Sequence, residues 1–231
     1  MRLLSWILVM VFYCLPSFAA EVELPFRKGE VITYSIKKLA VKAGEATLTF
    51  EGLTEIDDRS VYLIVFKADG FNFYDEERIF VATDTFTPVK VIRDLNIFGS
   101  KEKITEDYVT SEGKIVITKT VGDNTTQETI LKQGLIDNIY GTIYRYRANG
   151  NFQINDRVEL KLPTKDVTLV LEKSVPIKAA GKLYQSFFMS SVPSKYQVWF
   201  DSGVNKIPLR INGAVGMANT TMIMRDYKSG Q

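Results

Sequence analysis

The chain has 231 residues, with 29 Lys and Arg against 27 Asp and Glu, one cysteine and no histidine. The missing histidine excludes Ser-His-Asp and Cys-His catalysis and any zinc or copper centre built on imidazole. The charges are balanced and interspersed, with no concentrated positive surface, so nucleic acid is not an expected partner.

The N-terminus reads as an export signal. Arg2 precedes an apolar run from Leu3 to Leu15, Pro16 breaks it, and Ser17-Phe18-Ala19 offers small residues for cleavage near Ala20. The run is shorter than the roughly 20 residues of a membrane span, and no later segment is long and apolar enough to cross. Cys14 lies inside the leader, behind the bulky Val11-Phe12-Tyr13, which does not fit an acylation site. The mature chain therefore has no cysteine and no disulfide in an oxidising compartment, which points to a bacterial periplasm or secretion. Removing 19 residues leaves 212, a length that suits one β-rich domain over 20–231.

Beyond the leader the apolar residues alternate at period two. Ile32, Tyr34 and Ile36 share one strand face, and Ala46, Leu48 and Phe50 share another. Val61 to Phe66 is apolar on both faces and reads as a strand buried on both sides. Ile79–Val81, Val89–Ile92, Ile115–Ile117, Val158–Leu162 and Val167–Leu171 continue the pattern, followed by Gln185–Ser190, Tyr196–Phe200, Leu209–Gly213 and Thr220–Met224. Turns are expected at Ala43-Gly44, Asp57-Asp58, Asp69-Gly70, Ser111-Glu112-Gly113, Gly122-Asp123-Asn124, Ala180-Gly181 and Ser202-Gly203. The stretch from Val121 to Gln133 is the most polar connector between the two strand groups.

One segment changes period. Leu135, Ile136, Ile139, Tyr140, Ile143 and Tyr144 form a helical stripe. Asp137 is the expected cap, Asn149-Gly150 the expected left-handed end, and Gly141 a place where the helix can approach a sheet closely. The fold class that follows is mainly β: a strongly curled antiparallel sheet or half-open barrel, with one central helix covering its concave side or one end.

Carboxylates and aromatics are the candidate functional residues. Asp75 and Glu77 share a strand face within Asp75-Glu76-Glu77, and with Asp201 they form a candidate acidic site. The simpler reading is a solvated hairpin end or a charged edge that blocks aggregation for the first two, and a turn for Asp201. Tyr140 and Tyr144, one helical turn apart, with Phe73 and Trp199, are candidate ligand-binding residues, because such rings suit a pocket wall. Their simpler role is the core between sheet and helix. Met217, Met222 and Met224 read as core strand residues. The glycosylation-like patterns at Asn124 and Asn219 are incidental in a bacterial export route. No metal or cofactor motif is present.

Several local patterns resemble an exported bacterial family known as domain of unknown function three-one-zero-eight. Phe26-Arg27-Lys28-Gly29-Glu30-Val31-Ile32-Thr33-Tyr34 is similar to its opening strand, and Gly44-Glu45-Ala46-Thr47-Leu48 to its second. Asp84-Thr85-Phe86-Thr87-Pro88 resembles its mid-chain turn, and the helix ending in Tyr144-Arg145 its central helix. Val198-Trp199-Phe200-Asp201, followed by Ile207-Pro208-Leu209-Arg210-Ile211, is similar to its closing hairpin, although Ser202 to Lys206 departs from the family's acidic or polar pair. The resemblance implies a periplasmic domain with a curled sheet, and it implies no activity.

Three functions are compatible with these residues. The first is a non-catalytic envelope protein binding a lipid or another apolar or amphipathic ligand on the concave face. The second is an adaptor whose open sheet edge pairs with another envelope protein. The third is a glycan hydrolase using two carboxylates about 5–10 Å apart.

Overall fold

The computed structural model describes residues 23–39, 41–214 and 220–231. The leader over 1–19, Cys14, Met217 and Asn219 lie outside the described residues.

The chain begins at the middle of a single antiparallel sheet and meanders to one edge. These strands are β1 (Glu30–Lys38), β2 (Val41–Ile56), β3 (Arg59–Gly70), β4 (Phe73–Ala82), β5 (Pro88–Ile97), β6 (Ser100–Val109), β7 (Lys114–Val121) and β8 (Asn124–Leu131). The chain then crosses the inside of the curled sheet as helix α1 (Ile139–Asn149). It restarts at the opposite edge and meanders back through β9 (Arg157–Leu162), β10 (Lys165–Ala179), β11 (Lys182–Val192), β12 (Gln197–Asp201), β13 (Pro208–Asn212) and β14 (Thr220–Lys228). β14 pairs with β1, so the sheet has 14 strands with β8 and β9 as its two edges.

The edges curl toward each other without pairing. The segment 132–138 spans the seam. Lys132 Nζ donates to the Leu162 carbonyl at 2.5 Å and reaches Asp166 at 2.5 Å. Asp137 N donates to the Lys161 carbonyl at 2.7 Å, and Lys161 N donates to Asp137 Oδ2 at 3.0 Å.

Alternation decides which side chains meet the helix. Ile32, Tyr34, Ile36, Leu48, Phe66 and Ile79 face inward and are fully buried, each worth about 1.5–3 kcal/mol of apolar transfer. Val198, Phe200, Met189 and Leu169 close the other wall. Met222 and Met224 are core residues of β14, exposed by only 1% and 2%. In β3 the outward Leu63 and Val65 are half-buried, because the convex face meets solvent. Val61, of the same parity, is only 2% exposed, so that strand is fully buried on its inner face and partly covered on its outer one.

Several local expectations are corrected. Ala43-Gly44 is not a turn but part of β2, and Asp69-Gly70 ends β3, with the turn at Phe71-Asn72. Gly44 and Gly70 are cross-strand partners, and a Cβ on Gly44 would sit 2.3 Å from the Asp69 carbonyl oxygen. These glycines serve close backbone approach and not reversal. The stretch 121–133 contains β8, a strand defined by pairing with β7 and not by apolar alternation. β6 likewise shows no apolar alternation, because its sequence is mostly charged and polar.

The helix begins four residues later than its stripe. Asn138, not Asp137, is the cap, accepting from Tyr140 N at 2.9 Å and Gly141 N at 3.3 Å. Asp137 is held at the seam instead. Gly150 ends the helix in an extended conformation, with φ −72°, not a left-handed one. A Cβ at Gly141 would meet Phe86 O and Val81 Cγ1 at 3.5 Å, ordinary contact, so close approach does not demand glycine there.

Candidate functional site

The inward face of the helix carries Tyr140, Tyr144 and, one further turn on, Arg147. All three are buried. Tyr140 stacks on Phe66 with ring centroids 4.2 Å apart, and Tyr144 stacks on Phe50 at 5.6 Å. Arg147 makes a two-point ion pair with Glu30, Nη1 to Oε1 at 2.6 Å and Nη2 to Oε2 at 2.8 Å, both side chains fully buried. Tyr144 and Tyr227 donate their hydroxyls to the same carboxylate at 3.2 and 3.1 Å, and Arg147 also donates to the Asn205 carbonyl. The guanidinium lies 4.7 Å from the Phe26 ring centroid. Every lone pair and N–H that burial would penalise is thus largely matched.

A second polar cluster lies near the helix N-terminus. Asp75 and Glu77 point inward from β4 and meet Arg93 of β5. Arg93 donates to Asp75 at 2.7 and 2.5 Å, and its Nε lies 3.4 Å from Glu77. Asp75 is 1% exposed, so a solvated hairpin end is ruled out for it. Burial pushes the Glu77 carboxyl up to about 7, against the pull of Arg93 and with a push from Asp75. Burial also raises the Glu106 carboxyl. Asn138 Nδ2 reaches Glu77 Oε2 at 3.5 Å, which ties the acid to the helix cap. The Tyr140 hydroxyl is buried without a hydrogen-bond partner among the described residues.

The remaining predicted residues are dispersed. Phe73 is buried at the start of β4, opposite Gly70. Trp199 and Asp201 alternate with the inward Val198 and Phe200, so they belong to the convex face of β12. There Trp199 lies between Phe188 at 4.7 Å and the Arg210 guanidinium at 4.6 Å. The structure therefore gathers Asp75 with Glu77, and Tyr140 with Tyr144, and leaves Trp199 and Asp201 on the opposite face. Asp75 and Glu77 share one arginine and do not oppose each other across an open cleft. Among the described residues no cluster of three or more His, Cys, Asp or Glu is arranged for a metal ion.

The concavity itself is filled. Between α1 and strands β9 to β12 the residual void is about 10 Å³, bounded by Ile139, Thr142, Ile143, Leu169 and Phe200 among others. That is about the space of one water. Clefts of about 420 and 430 Å³ lie against β5 and β6 and beside residues 23–27. A larger opening is lateral, at the seam: a cleft of about 680 Å³ between β9, the outer side of α1 and the β4–β5 turn. Its walls carry Leu135, Tyr146 and Val158 together with Asp84, Arg145, Asn149, Asn151, Arg157 and Glu159. Its floor is tied by an Arg145–Asp137 ion pair at 2.7 Å and by the Tyr146 hydroxyl, which donates to Asp156 at 2.8 Å.

Two parts of the buried network were accessible to periodicity. Glu30 is two residues before Ile32 and shares its strand face. Arg147 is three residues beyond Tyr144 and shares its helix face. The cleft was not accessible, because its walls join the stretch 135–161 to the distant β4–β5 turn.

The fold is shared with a solved bacterial protein. A β-barrel-like protein of domain of unknown function DUF1849 from Brucella abortus superposes with a TM-score of 0.50 at 11% identity, covering 90% of this chain and 100% of that one. A protein from Parabacteroides distasonis described as a candidate lipoprotein gives a TM-score of 0.31 at 10% identity, with 90% and 100% covered. The first likeness carries the architecture, that of an uncharacterised bacterial β-barrel-like domain; the second is too low to carry an argument. No family model and no curated protein matches the sequence, so the particular family suggested by the local motifs is not identified. Among the described residues no helix is long and apolar enough to cross a membrane.

Proposed function

We propose that this chain is an exported, non-catalytic protein of the bacterial cell envelope that binds a small amphipathic ligand in the lateral cleft. The reading takes residues 1–19 as a cleaved leader, 20–231 as one domain, and the periplasm or the exterior as its site. The motif resemblance to family three-one-zero-eight agrees with it. The observation that carries the ligand site is the contrast of volumes: about 10 Å³ under the helix against about 680 Å³ at the seam. The larger value lies within the usual range for small-molecule sites, about 300–1,000 Å³. Apolar Leu135 and Val158 beside charged Arg157 and Glu159 suit a ligand with one greasy and one polar part. The concave aromatics Tyr140 and Tyr144 then serve as packing that holds the cleft wall, and do not touch the ligand.

Native mass spectrometry of gently extracted protein tests this. The expected result is a retained small molecule, reduced several-fold in Leu135→Asp, a rim change at a side chain already 44% exposed. Consistently empty protein would overturn the reading.

A further inference from the structure

The two sheet edges are treated differently by this fold. At β9 the edge is obstructed: Lys161 gives its backbone N–H and C=O to Asp137, and Arg157 N donates to Asp156 Oδ1. Arg157, Glu159 and Lys161 also place charge along that rim. Among the described residues no hydrogen bond of this kind caps the outer side of β8, and Glu128 is its one charge. Its sequence, Asn-Thr-Thr-Gln-Glu-Thr-Ile-Leu, holds no proline and no lysine, and its register with β7 runs without a bulge. All of it but Ile130 is exposed. Natural edges are ordinarily blunted by such features, because unpaired N–H and C=O groups template another strand.

Register identifies which groups are free. Val121 and Asn124 close a two-residue turn, so Asn124, Thr126, Glu128 and Ile130 direct their backbone groups to β7. Thr125, Gln127, Thr129 and Leu131 direct theirs outward. The geometry points to a second copy of this chain as the occupant: β8 pairs antiparallel with β8 of another molecule about a two-fold axis at Gln127. That register sets Thr125 opposite Thr129 of the second copy, and Glu128, the one charged residue of the strand, opposite Thr126. Like charges are never directly opposite, hydroxyl faces hydroxyl, and the closed two-fold exposes no new edge of β8. Of the two neighbouring two-fold registers, the one about Glu128 would place that carboxylate against itself, and the one about Thr126 would pair less of the strand.

The test is sedimentation equilibrium of the full chain over a micromolar series, with cysteine crosslinking in a Cys14→Ser background that leaves no other thiol. Twice the monomer mass is expected. Thr129→Pro, which removes an outward N–H and leaves the β7 ladder intact, is expected to return the mass to monomer with an unchanged β-sheet circular dichroism spectrum. Gln127→Cys is expected to crosslink on oxidation, since narrow antiparallel pairs stand about 5.5 Å apart at Cα. Thr125→Cys is not, since its two copies would lie roughly 14 Å apart along the strands. A monomer at every concentration, a dimer that Gln127→Cys does not link, or an edge occupied only by a different protein overturns the proposal.

Discussion

Glu77 concentrates the conflict between burial and charge in this molecule. Its side chain is 12% exposed, it shares Arg93 with Asp75, and its carboxyl is raised to about 7. In the unfolded chain it titrates near 4.5. Between those values the folded state binds the extra proton, so stability falls as pH rises from about 4.5 to about 7 and is flat for this group above that. Glu77→Gln is expected to flatten that slope, by up to about 3 kcal/mol if the whole shift is realised. Urea titrations at pH 5 and pH 8 read the difference; an equal slope in both proteins would contradict the assigned burial. Arg93 stays ionised throughout, because its bonds to Asp75 and the nearby Glu77 outweigh the cost of burial. The strand period placed Asp75 and Glu77 on one face, but it could not tell that this face turns inward, since charge in a hairpin ordinarily favours solvent.

At the scale of the element, α1 depends on one side chain for its start. Asn138 accepts from two backbone N–H groups and also reaches Glu77. Asn138→Ala is expected to cost about 1 kcal/mol, seen as a lower urea midpoint with an unchanged slope. An unchanged midpoint would mean that packing alone sets the helix start. The apolar stripe identified the helix but put its start too early, because Leu135 and Ile136 continue the spacing while lying in the seam segment. Ile136 is buried there, and Leu135 lines the cleft. Similar reasoning explains β8 and the Gly44–Gly70 pair. A polar strand shows no period, and a glycine needed for close approach looks the same as a glycine needed for a turn.

At the scale of the whole molecule, an unclosed sheet needs something to hold its curl, and the plug is locked to it by Glu30 and Arg147. These residues lie 117 positions apart in the chain, and the pair joins the returning helix to the first strand. Arg147→Met leaves a buried carboxylate without its cation, so a loss of about 3–5 kcal/mol is expected, measured by thermal or urea unfolding. Replacing Glu30 by Gln in the same chain should recover part of that loss, because the uncompensated charge is then gone; no recovery would show that the methionine itself disrupts packing. The amino-acid sequence by itself determined the strand-rich character, most strand positions and the one helix, because period-two and period-3.6 patterning act over a few residues. Only the tertiary structure decided which face of each strand turned inward, how completely the expected helix fills the concavity, and that a cleft opens at the seam. Those outcomes depend on pairings such as β1 with β14, Glu30 with Arg147 and Asp137 with Lys161, whose partners are brought together by chain closure and leave no local signature.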